Sequence, residues 1–134
     1  MKRYADEEDH AAVHRLEAVV VSCLARVEVP AALWRKHRIG ELPAGDAAVL
    51  TAEFEADYFG DEDEAGRFAI LGLPAALLDD AARLVATQGL RAYGAVQPAG
   101  ARAARVAEPR CATFACCDQA LRSAAAAEGF ALVP

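Results

Sequence analysis

The sequence predicts an α/β layered fold with a mostly parallel sheet, and two observations carry that expectation. Four short apolar runs, AVVVS at 18–22, RFAILGL at 67–73, CATFAC at 111–116 and FALV at 130–133, read as strands. Between them lie stretches of about 10 to 16 residues with helical spacing of apolar side chains, the alternation that joins parallel strands by helical crossovers. At 134 residues the chain has the length of one domain, so one core and one site are expected over 1–134.

The elements follow in order. Residues 5–17, ADEEDHAAVHRLE, put acids in the first turn and Val13 and Leu16 on one side, which suits a short helix favoured by its dipole. The acids from Asp6 to Asp9 read as its solvated start. Ser22 ends the first strand and is an expected N-cap. From Cys23 to His37, Leu24, Val27, Ala31 and Trp34 recur at spacings of three and four on one helix face, with Arg35, Lys36 and His37 favouring the carboxyl end. Pro30 fits there in an early turn or at a kink. Gly40 and Pro43 separate this helix from another at 44–59, where Leu50, Phe54, Asp57 and Tyr58 share related turns, and GDEDEAG at 60–66 reads as a charged loop. After the second strand, Pro74 opens a helix through Gln88 with Leu77, Leu78, Ala81, Leu84 and Val85 on its apolar face and Gly89 as C-cap. A helix over about 91–107 precedes the third strand. The last helix runs from Asp118 to Glu128 and stops at Gly129 before the fourth strand.

Composition bounds the function. The net charge is −6, with a pI near 5.0, and no Lys/Arg run announces nucleic-acid binding through counterion release. Cys23, Cys111, Cys116 and Cys117 show neither a CxxC pair nor metal-finger spacing, and read as buried, reduced thiols. No apolar run reaches the ~18 residues of a membrane span, and MKRYADEEDH has no signal-peptide core, so a soluble cytoplasmic protein is expected.

Two acids stand out. Asp118 follows the third strand, where open α/β sheets place their ligands, although N-capping the last helix also accounts for it. Glu28 is a lone acid on the apolar side of the helix after the first strand, and also reads as a partly exposed helix glutamate. Together, two carboxylates after two parallel strands offer oxygen ligands to a hard cation such as Mg²⁺. His10 and His14, at i and i+4, read as a solvated pair more readily than as metal ligands, and Cys116–Cys117 as adjacent strand-end thiols more readily than as a redox pair. Nothing matches a nucleophile elbow or a phosphate loop.

The order SCLARVEVPAALWR, RFAILGLPAALLDDAARLVATQGLRAYGAVQPAGA, ATFACCDQALRSAAAAEGFALVP resembles the PIN-domain ribonucleases of the VapC toxin type. The similarity covers essentially the whole chain, with the LRAY helix start and the F-x-x-x-D-x-x-L ending as its most specific parts. The resemblance implies a PIN-like three-layer α/β/α sandwich whose four acids hold Mg²⁺ or Mn²⁺ and direct water at an RNA phosphodiester. In such a site the metal stabilises charge developing on the phosphate and lowers the pKa of the attacking water. Glu28 matches the family's second acid, and Asp118 matches the acid after the penultimate strand, so both are carried over as catalytic and metal-binding residues.

Two acids of the pattern are missing. Gly94 stands where LRAY is normally followed by aspartate, and the first acid belongs to an Asp-x-Ser-Ala-Leu-Val segment, after a central strand, that this sequence does not show. A truncated domain without that strand is the expectation, its gap closed by direct pairing or by a borrowed strand. Alternatively, Met1 is a misassigned start at a GTG valine codon, which upstream DNA would reveal. Gly94, Pro98 and Gly100 cluster within seven positions and suggest relaxed constraint on a catalytic helix. The resemblance therefore implies a metal-dependent endoribonuclease toxin of a type II toxin–antitoxin system with impaired catalysis and weak or absent metal binding. Its partners would be a cognate antitoxin, RNA if active, and a second copy in a homodimer. The alternative is a non-catalytic, antitoxin-binding PIN remnant.

Overall fold

The computed structural model describes residues 18–60 and 63–133, and the helix expected over 5–17, with His10 and His14, lies outside them. The chain divides into two compact units, one ending at Ile70 and the other beginning at Leu71.

The first unit is a helical hairpin with a strand on either side in sequence. Strand β1 is Val19–Ser22, helix α1 is Ala25–Arg38, helix α2 is Ala44–Phe59, and strand β2, Phe68–Leu71, pairs with β1 and crosses the unit boundary. Ser22 does not take the N-cap position, which Leu24 occupies without a side-chain cap; its hydroxyl instead accepts the Leu24 N–H at 3.2 Å. Helix α1 starts early enough that Pro30 falls in its interior, where it removes the N–H that would reach the Arg26 carbonyl. The two helices pack on each other through fully buried Leu33, Ala47 and Phe54, and the Phe54 ring lies 6.3 Å from that of Phe68. Burying Leu33 or Phe54 contributes roughly 1.5–3 kcal/mol each. After α2, Gly60 turns the chain at φ +73°, bridging to Ala65, and a Cβ there would collide with the Glu64 carbonyl.

The outward side of this hairpin differs from expectation. The α1 face of Val27, Ala31 and Trp34 is exposed, whereas Ala25 and Leu33, on the other side, are buried. Spacing reveals that an apolar stripe exists; it does not say which stripe meets the neighbouring helix.

The second unit holds helix α3, Ala75–Gln88, helix α4, Ala92–Ala107, strand β3, Thr113–Ala115, helix α5, Gln119–Ala127, and strand β4, Ala131–Val133. Pro74 precedes the first residue of α3, and Gly89 ends it in the left-handed conformation at φ +65°, as the sequence predicts. Leu77, Ala81 and Leu84 of α3 are buried, while Leu78 and Val85 at the edge of the same stripe are exposed. They pack against α4, which buries Ala95, Val96, Pro98, Ala99, Gly100 and Ala104. Its small residues permit close approach: a Cβ on Gly100 would come within 3.2 Å of Leu71 Cδ2. Arg102 then bridges Asp80 of α3 at 3.3 Å and Glu128 beyond α5 at 3.1 Å.

The three-layer α/β/α sandwich with a mostly parallel sheet is not what forms. Five helices dominate the described residues, and the strands make two separate two-stranded sheets, β1–β2 and β3–β4. The β3–β4 pair is parallel, in the register Thr113–Ala131, Phe114–Leu132 and Ala115–Val133. The physical reason is length. RFAILGL yields four strand residues before Gly72 and Pro74, and CATFAC yields three, too little surface to carry helical layers. The buried faces of the helices pack mainly on one another.

Candidate carboxylate sites

Glu28 lies in the first turn of α1, half-buried, in the first unit, and Asp118 precedes α5 in the second. Acid in a first turn is favoured by the helix dipole, which accounts for the position of Glu28 without any ligand.

Asp118 sits where β3 hands over to α5. Its backbone is extended, and its Oδ1 accepts the Leu121 N–H at 3.0 Å, an N-cap that satisfies one of the four orphan donors of the helix start. Its own N–H donates to Cys116 Sγ at 3.3 Å, and its carbonyl accepts the Arg122 N–H at 2.9 Å. One carboxylate oxygen is thus committed to holding α5 in place. The sequence anticipates this role.

Arg122 is the neighbour that sequence reasoning missed. One turn into α5, its Nη1 donates to the Cys116 carbonyl at 2.7 Å and to the Val133 carbonyl at 2.9 Å, which ties together the ends of β3 and β4. These are charge-assisted bonds, each worth roughly 1.5–3 kcal/mol when desolvated. Nothing in the sequence marks this role, because both acceptors are backbone carbonyls. A fixed guanidinium one turn from Asp118 also adds positive charge to that junction, which works against a second cation there.

The thiols are less buried than expected. Cys23, Cys111 and Cys116 are half-buried and Cys117 is exposed, all of them free. Partial burial pushes the Cys116 thiol up from its ordinary pKa, against the pull of the Asp118 N–H on its sulfur.

Among the described residues, no three His, Cys, Asp or Glu side chains come together as a group that could hold a metal. Mg²⁺ keeps several waters and takes only one or two carboxylates, and at Asp118 one carboxylate oxygen is already given to the α5 cap. Gly94, where the resemblance expects a third acid, is half-buried in α4, and a Cβ there would meet Leu121 Cδ2 at 3.4 Å, an ordinary contact. Among the described residues, no helix is long and apolar enough to cross a membrane. No family model matches this chain, and no curated protein matches it.

Proposed function

We propose that this chain is a VapC-like, PIN-type protein related to metal-dependent endoribonuclease toxins, with impaired catalysis. Glu28 and Asp118 are its two remaining candidate acids. Support comes from the motif pattern and from the order of elements, strand–helix–helix–strand–helix–helix–strand–helix–strand, which follows the order of the matching motifs. The central sheet is not part of the reading. The observation that carries impairment is Gly94: the helix position of the third acid has no side chain at all.

One observation favours the alternative, a non-catalytic protein that binds an antitoxin. The Asp118 carboxylate caps α5, which gives this acid a structural reason to be present without chemistry.

Cleavage of a structured RNA with Mn²⁺ tests the proposal, using the unmodified chain, Gly94→Asp and Asp118→Ala. The expected result is no cleavage above background by the unmodified chain and a measurable gain in Gly94→Asp that Asp118→Ala removes. Cleavage by the unmodified chain that disappears in Asp118→Ala would overturn the claim of impairment. No gain in folded Gly94→Asp, together with co-purification of a small antitoxin-like protein, would favour the binding role.

A further inference from the structure

Helix α1 is a cationic island on an acidic molecule. It carries Arg26, Arg35, Lys36 and Arg38 against the single acid Glu28, a net +3 in a chain of net −6. Two of these cations are occupied within the first unit: Arg26 lies over the Phe59 ring at 5.1 Å, and Lys36 pairs with Glu41 at 3.1 Å. Arg35 and Arg38 are exposed and form no ion pair among the described residues. They share the outward side of α1 with exposed Val27, Ala31 and Trp34, within an arc of roughly 100° on the side away from buried Ala25 and Leu33.

The helix dipole accounts for arginines in a last turn, but not for the indole and the valine beside them. Trp34 is exposed yet held: its ring meets His37 edge-on at 5.7 Å, and a ring nitrogen of His37 lies 3.1 Å from the Leu42 carbonyl. Val27 is 65% exposed, and Ile39, just past the helix, 58%. An indole beside guanidinium groups, with aliphatic side chains nearby, is the composition of a helix lying in a membrane interface. There the indole sits at headgroup level, the arginines on phosphates and the aliphatic groups against acyl chains. A single-stranded nucleic acid is held instead by several aromatic platforms for its bases, and Val27 and Ile39 offer none.

We infer that this face of α1 docks on an anionic lipid surface, with the helix lying along the plane of the bilayer. Charge complementarity selects this occupant: a basic stripe without acids, on an otherwise acidic chain, is drawn to anionic headgroups that repel the rest of the molecule. The same asymmetry decides which side faces the bilayer. The contact is peripheral and reversible, with Arg35 and Arg38 contributing roughly fivefold each in affinity and the apolar groups the remainder. It involves no membrane span, and it does not depend on RNA cleavage or on an antitoxin.

Trp34 is the only tryptophan of the chain, so its fluorescence reports the contact directly. Titrated with vesicles of equal parts phosphatidylglycerol and phosphatidylcholine, the full chain should show a blue-shifted emission that lipids brominated on the acyl chain quench and that added salt reverses. Arg35→Glu with Arg38→Glu should weaken binding roughly twentyfold or more, and Val27→Ser should weaken it at unchanged charge. Arg83→Glu with Arg110→Glu, the same change of charge at exposed positions elsewhere, should bind within about threefold of the unmodified chain. Circular dichroism melts establish that the variants fold. No blue shift, equal binding to vesicles of phosphatidylcholine alone, or equal losses in the two arginine pairs overturns the inference. So does a response to single-stranded oligouridylate without any response to vesicles, which would assign this face to a nucleic acid.

Discussion

Helices α1 and α4 both carry a proline in the interior, Pro30 and Pro98, yet they bury very different parts of themselves. In α1 only Ala25 and Leu33 are buried, and the apolar stripe through Val27 and Trp34 stands in solvent. In α4 the proline itself is buried, together with Ala95, Val96, Ala99, Gly100 and Ala104. Pro98 withholds the N–H that would reach the carbonyl of Gly94, four residues earlier, and its ring presses toward that same carbonyl. Gly100 has a packing rationale in the close approach of Leu71, whereas a Cβ on Gly94 would make only an ordinary contact with Leu121. What the pair of helices teaches is that a breaker residue is tolerated for different reasons: beside a solvated face in α1, and by close packing of small residues in α4.

The sharpest way to break this comparison is truncation on the two sides of α1. Leu33→Ala should cost about 2–5 kcal/mol in denaturant unfolding, and Val27→Ala within about 0.5 kcal/mol at concentrations where the chain is monomeric. Equal losses at the two sites would mean that the outward face is not outward. In the second unit, Arg122→Ala removes the Nη1 that donates to the ends of both β3 and β4 and should cost roughly 2 kcal/mol. A melting curve unchanged by Arg122→Ala would show that the two strands do not depend on the guanidinium.

The glycines of α4 give a smaller effect of either sign. Gly94→Ala should stabilise by about 0.5–1 kcal/mol, because alanine has the better helix propensity and its Cβ makes an ordinary contact with Leu121. Gly100→Ala should gain less, since its Cβ requires Leu71 to move by a few tenths of an ångström, and Gly100→Val should destabilise by about 1–3 kcal/mol. If both alanine variants gain equally, the close approach of Leu71 is not felt.

The smallest expected effect is in pH. The folded-state pKa of Cys116 lies above its ordinary value because of partial burial, so the unfolded chain loses this proton first as pH rises. Its contribution to stability is constant below the unfolded pKa of about 8.5 and declines above it, through the interval up to the folded value. Mass-spectrometric alkylation at neutral pH should accordingly label Cys116 more slowly than exposed Cys117. Faster labelling of Cys116 would contradict the assigned direction.

Much of the fold was legible in the sequence at the level of single elements. Pro74, Gly89 and Asp118 punctuate their helices where composition says they should, because a cap or a left-handed turn is decided within a few residues. Sheet assembly was not legible. Whether FAIL or TFA joins a large sheet depends on pairing between distant segments, and a run of three or four strand residues fixes no partner. The face of α1 was ambiguous for a related reason, since Val27–Ala31–Trp34 and the side bearing Leu33 both offer apolar groups and only the position of α2 chooses between them. At the candidate site, the capping role of Asp118 could be read directly, whereas Arg122 could not, because its acceptors are carbonyls that carry no sequence signature.

Arg122 has one more consequence. Its two acceptors come from different strands, and its own helix is capped by Asp118, so β3, α5 and β4 are linked within about twenty residues of chain. Freeing β4 takes an acceptor from the guanidinium that also holds the end of β3. Such short-range coupling makes residues 113–133 a natural cooperative block, expected to open and exchange its amide hydrogens together rather than strand by strand.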